Sequence, residues 1–163
     1  MKRNKLIRQI LVHFIIIHII VSLVFVLGTN YVHPFFNAFK NFPTFVQVLL
    51  LGLMDVISYF IIAFIYAKFY DDKESLYIIV GWVVIVFALI FMAVYALVYF
   101  ASMTFYSRNI MLIYSIINPW YGSFMQKLSD EKLYSLWWMV STVTPMIGLY
   151  LGVKAGLKSE VSS

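Results

Sequence analysis

The 163-residue chain has no cysteine and few charged residues, with aspartate, glutamate, lysine and arginine together making up 12% of it. An average soluble domain has about 25% charged residues, roughly twice that share. The absence of cysteine excludes a disulfide framework, a thiolate metal site and a cysteine nucleophile. The low charge argues against a soluble enzyme and against a nucleic-acid partner, although the formal net charge is +5.

Apolar residues make up 63% of the chain, and its mean hydropathy is +0.91. A chain of this size cannot bury so much apolar surface in a water-soluble core, because small domains leave a large part of their surface exposed. The excess apolar surface is expected to face lipid. The composition therefore predicts an integral membrane protein whose first partner is the lipid bilayer.

Four long stretches of the chain are almost free of charge. A hydrocarbon core about 30 Å thick requires about 20 helical residues, and lipid offers no partner to unpaired backbone amides. We therefore predict an all-α membrane protein with four transmembrane helices in a single integral membrane domain, residues 1–163. The predicted spans are 9–28, 44–67, 76–101 and 133–156.

Residues 105–128, between the third and fourth spans, have two interpretations. Their central part is uncharged and long enough for a fifth span. Asn118 and Pro119 interrupt it, because asparagine favours the N-cap and proline the first position of a helix. We expect short helices in the membrane interface, near 108–117 and 119–128, and leave a re-entrant segment or a fifth span open.

The distribution of lysine and arginine predicts the orientation. With four spans both termini lie on one side, which then carries eight cationic residues against four on the other. Positive residues collect on the cytoplasmic side, so we expect cytoplasmic termini in a multi-pass cell-membrane protein. A fifth crossing would weaken the bias to seven against five. The richness in isoleucine, phenylalanine, tyrosine and lysine is typical of an AT-rich, bacterial genome.

Asp55 is the only acidic residue within the predicted spans. It lies near the middle of the second span, where a charged carboxylate costs about 2.5–3.5 kcal/mol on insertion scales. It should therefore remain protonated or find a partner. On a helix, Gly52, Ser58, Tyr59 and Tyr66 share its face. This stripe is either a proton or cation site, a contact with another membrane subunit, or an interhelical hydrogen bond that specifies packing.

His18, near the middle of the first span, is the predicted partner of Asp55. The first two spans run in opposite directions, so their midpoints lie at one depth, and a His–Asp hydrogen bond would satisfy both groups. His13 lies about 140° from His18 around the helix, so the two cannot hold one metal or haem from the same face. We expect no metal and no cofactor.

Small residues recur on one face of the last span: Ser141, Thr144, Gly148, Gly152 and Gly156. This spacing leaves a groove where another helix backbone can approach closely. Pro145 is expected to kink the helix and to free the carbonyl of Ser141. The groove either packs against the protein's own first or second helix or docks a partner or a second copy.

Catalytic motifs are missing from the sequence, which has no G-x-S-x-G, no paired carboxylates within one span and no phosphate-binding glycine loop. We expect a non-enzymatic accessory or regulatory subunit that packs against another membrane protein. The alternative is a small oligomeric transporter or channel with Asp55 as the proton- or ion-coupling group, oligomeric because four spans can be too few to enclose a path. A membrane enzyme acting on lipid is a third hypothesis, and it lacks a nucleophile.

Overall fold

The structure is a computed structural model, and it describes residues 2–28, 34–105, 107–119, 121, 124, 129 and 134–158. All regular structure in these residues is helical. The α-helices are α1 (Lys2–Gly28), α2 (Pro34–Phe39), α3 (Thr44–Lys68), α4 (Lys73–Thr104), α5 (Met111–Ile117) and α6 (Thr144–Lys158). Two 3-10 segments, Arg108–Ile110 and Leu136–Thr142, precede α5 and α6.

Four helical segments are long and apolar enough to cross a bilayer: Asn4–Leu27, Thr44–Lys68, Ser75–Thr104 and Leu136–Lys158. Their lengths are 24, 25, 30 and 23 residues, against the roughly 20 that a hydrocarbon core requires. The last segment joins the second 3-10 segment to α6. The prediction of a helical fold with four helices of spanning length is confirmed, and the third segment is somewhat longer than the sequence indicated.

Helices α1 and α3 run antiparallel. The ring of His13, near the start of α1, is hydrogen-bonded to Tyr66 near the end of α3, with Nδ1 and Oη 3.0 Å apart. Further along α1, His18 meets Tyr59, which lies earlier in α3. Increasing residue numbers in α1 thus pair with decreasing numbers in α3.

Helices α4 and α6 are antiparallel as well. The Tyr77 hydroxyl near the start of α4 lies 3.1 Å from the Tyr150 hydroxyl in α6. Near the other end of α4, the Tyr99 hydroxyl donates to the carbonyl of Tyr134, just ahead of the last segment. Residue 105 and residue 134 therefore lie at the same end of the bundle, and the chain between them makes no net crossing.

Helices α3 and α6 are parallel and very closely packed. Three glycines of α6 face three backbone carbonyls of α3: Gly148 faces Val56, Gly152 faces Phe60 and Gly156 faces Phe64. A Cβ atom at Gly148 would lie 2.6 Å from the Val56 oxygen, closer than the 3.0 Å limit of real Cβ contacts. The glycine groove predicted from the sequence is therefore filled by the chain's own second spanning helix.

These directions place Lys2 and Lys158, the first and last described residues, at one end of the bundle. We call the end that holds Lys2 and Lys158 the terminal end, and the end that holds Thr44 and Thr104 the loop end. Helices α1 and α4 run from the terminal end, and α3 and α6 run toward it. This is the arrangement of the four-span interpretation, and a fifth crossing would have made α6 antiparallel to α3.

The segment after α4 enters the bundle. Its fully or almost fully buried side chains are Met111, Tyr114, Asn118, Tyr121 and Phe124. At the end of α5, the Ile117 carbonyl accepts a hydrogen bond from Nε2 of His18, at 2.8 Å. His18 lies ten residues before the end of α1, or about 15 Å along the helix axis. Helix α5 lies within the helix predicted near 108–117, whereas most of the helix predicted near 119–128 lies outside the described residues. We call the described residues 111–119, 121 and 124 the inserted segment.

Asn118 holds this segment through its amide nitrogen, which is paired within the protein. Its Nδ2 donates to the carbonyl of Ser141 at 3.0 Å. Pro145 has no backbone N–H to offer that carbonyl, and the chain before it is a 3-10 segment. The carbonyl that Pro145 was predicted to free is thus the acceptor of the Asn118 side chain, and this bond ties the inserted segment to the last span.

Candidate functional site

Asp55 lies on the inward face of α3 and is 0% exposed. Within the described part of the chain, neither of its carboxyl oxygens has a hydrogen-bond partner. The Thr144 hydroxyl of α6 approaches the carboxyl group but does not meet hydrogen-bond geometry. Buried polar groups are nearly always paired, so an acid left without a partner in a helix bundle requires an explanation.

Gly52 makes the room in front of Asp55. It lies almost one turn earlier on α3, and a Cβ atom there would be 3.3 Å from Cγ2 of Thr144 and 3.4 Å from the hydroxyl of Tyr121. The missing side chain lets both α6 and the inserted segment approach α3 at this level. The sequence predicted that Gly52 and Asp55 share one face of α3. In the structure this face packs against Thr144 and Tyr121.

Three tyrosine hydroxyls surround the carboxyl group at electrostatic range, those of Tyr59, Tyr114 and Tyr121. They come from α3, α5 and the chain just after α5. Tyr114 and Tyr121 were missed by the sequence analysis, because they lie in the segment that it placed in the membrane interface. The break at Asn118 was the signal that could have located them.

The predicted hydrogen bond between His18 and Asp55 is wrong. Nδ1 of His18 lies 2.5 Å from the hydroxyl of Tyr59, and Nε2 lies 2.8 Å from the Ile117 carbonyl. A carbonyl can only accept, so Nε2 carries a proton, and in the neutral ring Nδ1 accepts from Tyr59. Tyr59 thus contacts the histidine directly and Asp55 electrostatically, so the two predicted residues are linked through a third.

Ser58 is not brought to the site. Its hydroxyl donates to the Met54 carbonyl at 2.8 Å, within its own helix. Serine in a helix commonly makes this bond to the carbonyl four residues earlier. Of the polar stripe predicted on α3, Gly52 and Tyr59 lie at the site with Asp55, whereas Ser58 does not and Tyr66 pairs with His13.

The small-residue face of the last span serves two purposes. Toward the terminal end its glycines pack on α3, as described above. Toward the loop end its hydroxyl residues face the inserted segment and the acid: Ser141 Oγ lies 2.6 Å from the Tyr114 hydroxyl, and Thr144 lies beside Asp55. Asn118 Nδ2 also donates to the Tyr114 hydroxyl, at 3.2 Å.

A small cavity of about 80 Å³ lies beside His18 and Tyr59, and Phe14, Ile117 and Met146 are among its other lining residues. Its lining is almost entirely apolar, and the two polar groups that reach it are already hydrogen-bonded, His18 to both Tyr59 and the Ile117 carbonyl. An apolar cavity of this kind stays dry.

An open hollow of about 590 Å³ lies at the terminal end, and its polar lining residues are Gln9, His13, Tyr66, Tyr70, Asp71 and Asp72. Burial raises the pKa of Tyr70, and the nearby Asp72 and Asp71 raise it further. Phe14, which is 4% exposed, lines the small cavity, and its ring lies 6.4 Å between centroids from that of Tyr66, which lines the hollow.

Among the described residues there is no group of three or more histidine, aspartate or glutamate side chains that could hold a metal ion. The arrangement is instead one of a single acid, a histidine and several phenols. Such groups can accept, hold and pass a proton, because histidine and carboxyl groups change charge and a hydroxyl both donates and accepts.

Fold and site together define an α-helical bundle with four helices of membrane-spanning length around one buried carboxyl group. Comparisons with models of known protein families, with curated proteins and with solved structures found no match.

Proposed function

We propose that the chain is a multi-pass protein of the cell membrane that binds and releases a proton at Asp55, as a small transporter or channel working as an oligomer. The observation that carries the proposal is the carboxyl group itself, fully buried and without a hydrogen-bond partner in the described residues. An acid that only specified helix packing would be expected to be satisfied by the neighbouring helix. Ionisable groups within spanning segments commonly mark ion or proton pathways.

A proton is favoured over a metal cation by the neighbours of Asp55. Metal cations of the alkali and alkaline-earth groups prefer several oxygen ligands at once. Among the described residues, the surroundings here are phenols, the Thr144 hydroxyl and one histidine, and Asp55 is the only carboxyl group there. The Tyr59 hydroxyl and His18 Nδ1, 2.5 Å apart, form a hydrogen-bonded pair within electrostatic range of the acid, and both groups can hold a proton.

The route of entry is proposed to start at the hollow of the terminal end. From there the next polar groups are His13 and Tyr66, then Phe14 as an apolar partition, then the cavity beside His18. Four-span topology gives the terminal end eight cationic residues against four. By the positive-inside rule this end is cytoplasmic, as are both termini, so the hollow opens to the cytoplasm.

The proposal is tested by proton flux into liposomes that contain the purified chain, driven by a potassium diffusion potential. Asp55→Asn keeps the size of the side chain and removes its proton, so flux should fall to the level of empty liposomes. Asp55→Glu should retain part of it. Ser58→Ala is the matched control, because it changes a polar residue of the same helix outside the site. Equal flux from Asp55→Asn and the unchanged chain would contradict the proposal.

A second candidate is the non-enzymatic accessory subunit that packs against another membrane protein or a second copy of the chain. The glycine groove of α6 does not support this candidate, because the groove is filled by α3 and cannot also bind a partner helix. It is favoured instead by α4, in whose most apolar stretch 22% of residues are buried, against 56% in the last helix. Copurification of a stoichiometric partner from native membranes, lost when leucines on the outer face of α4 become alanine, would support it; a solitary monomer would not.

A further inference from the structure

A second hollow lies between α4 and α6 at the terminal end, on the outer surface of the bundle. Its volume is about 500 Å³, and its lining residues include Tyr77, Gly81, Trp82, Ile85 and Tyr150. A Cβ atom at Gly81 would have no heavy atom within 4 Å. The missing side chain therefore leaves an open apolar channel on the face of α4, unlike the glycines of α6, which are pressed against another helix.

The channel ends at a cation. The hydroxyls of Tyr77 and Tyr150 meet at 3.1 Å across it, and Nζ of Lys154 lies 5.8 Å from the centre of the Tyr150 ring. Within the described residues no acidic side chain forms a salt bridge with Lys154. An apolar channel thus leads to two phenols and then to a positive charge one turn nearer the terminal end.

We propose that this channel, lined by Tyr77, Gly81, Trp82 and Tyr150 and flanked by Lys154, binds one anionic phospholipid of the leaflet at the terminal end. An acyl chain lies along Gly81 against Trp82, and the phosphate is held by the ammonium of Lys154 and the phenol hydroxyls. Charge complementarity selects this occupant. A spanning helix of a partner would bring apolar side chains to the channel and no negative charge for Lys154. A lipid phosphate supplies the opposite charge at headgroup depth.

The inference rests on insertion of the chain in a membrane, but not on the role of Asp55. Each can fail while the other stands, because lipid binding is measured without any proton gradient. The expected occupant also fits the side of the membrane assigned above, since anionic lipids are concentrated in the cytoplasmic leaflet.

Trp82 provides the test, because it lines the channel and is 69% exposed. The purified chain is reconstituted in phosphatidylcholine vesicles that contain a small fraction of brominated lipid, either phosphatidylglycerol or phosphatidylcholine. Subtracting the fluorescence of the Trp82→Phe variant isolates the signal of Trp82. We expect brominated phosphatidylglycerol to quench Trp82 at least about twofold more than brominated phosphatidylcholine at equal fraction, as expected of a charge-assisted contact.

Lys154→Gln should abolish this difference, and Lys68→Gln, which removes a cation of α3 at the same end, should preserve it. Equal quenching by the two lipids in the unchanged chain would overturn the proposal, as would a difference that survives Lys154→Gln. Protection of Trp82 from both lipids would also overturn it, since a protein segment would then cover the channel. Native mass spectrometry provides a second measurement: phosphatidylglycerol retained by the unchanged chain should be lost from Lys154→Gln.

Discussion

The Tyr59 hydroxyl lies 2.5 Å from Nδ1 of His18, across the interface between α3 and α1. This bond orients the imidazole, whose other nitrogen is held by the Ile117 carbonyl. It joins three parts of the fold, because α1, α3 and the inserted segment all meet at one ring. It also places a proton carrier next to the helix that holds Asp55.

Replacing Tyr59 with phenylalanine should therefore affect stability and flux together. Nδ1 of a partly buried histidine loses its partner, which costs about 1–3 kcal/mol of unfolding free energy. Proton flux should fall as well, since the hydroxyl that interacts with both His18 and Asp55 is lost. Denaturant unfolding in detergent and the liposome assay measure the two effects.

Tyr77→Phe is the matched control for Tyr59→Phe. It also removes a tyrosine hydroxyl that is hydrogen-bonded to another helix, but at the exposed Tyr77–Tyr150 contact. Water or lipid headgroups replace an exposed partner at little cost, so the loss should stay below about 0.5 kcal/mol. Similar losses of unfolding free energy in the two variants would show that the Tyr59–His18 hydrogen bond stabilises the fold no more than an exposed one.

Glycine-to-alanine substitutions should have opposite effects on α6 and α4. In an open helix the change is favourable by up to about 1 kcal/mol, because alanine has the higher helix propensity. Gly148→Ala would put Cβ 2.6 Å from the Val56 carbonyl, so the two helices must separate, at a cost of about 1–3 kcal/mol. Gly81→Ala meets no neighbour and should be neutral or slightly stabilising. Equal unfolding free energies for both variants would exclude the close α3–α6 contact.

Asn118 and Pro145 should be energetically coupled, although they do not touch. Asn118→Ala leaves the Ser141 carbonyl without its side-chain donor, and the cost should be about 1–3 kcal/mol. Pro145→Ala supplies a backbone N–H that can take the same carbonyl, so Asn118→Ala should cost less in that background. Unfolding measurements on both single variants and the double variant provide the cycle, and strict additivity would contradict the shared acceptor.

Phe14 should control access to the small cavity from the terminal end. The natural sequence has no cysteine, so Met146→Cys places a single thiol at a residue that lines the cavity. A small water-soluble thiol reagent should label it slowly, and several times faster once Phe14→Ala removes the partition. Phe25→Ala deletes the same ring from α1 at a position that does not line this cavity, and should leave the rate unchanged. If both variants accelerate labelling equally, general loosening of α1 is the cause.

The sequence predicted those features that repeat along one helix. Charge-free runs gave the four spanning helices, and the spacing of Gly148, Gly152 and Gly156 gave a close helix contact. Pairings between helices were harder to predict. Matching depths in the membrane suggested that His18 pairs with Asp55, but depth does not determine which side chains face each other. The longer side chain of Tyr59 is the one that contacts the imidazole ring.

The inserted segment could not be located from hydropathy, because hydropathy counts an amide as a group that needs water. Asn118 finds its partners within the protein, in the carbonyl released by Pro145 and the hydroxyl of Tyr114. Both residues were visible in the sequence, Asn118 as a helix break and Pro145 as a residue without a backbone N–H donor. Only the three-dimensional fold shows that the Asn118 side chain reaches the carbonyl of Ser141.

The most direct test of the central claim is the infrared signal of the Asp55 carboxyl group. A charged carboxylate without partners is costly in a bundle interior, so the group should be protonated, and its carbonyl stretch should be absent from Asp55→Asn. We predict that this band shifts in deuterated buffer, because a group that binds and releases a proton exchanges it with water, and that the exchange slows in Tyr59→Phe, which removes a neighbouring hydroxyl. A band that does not exchange, or no difference between the unchanged chain and Asp55→Asn, would contradict it.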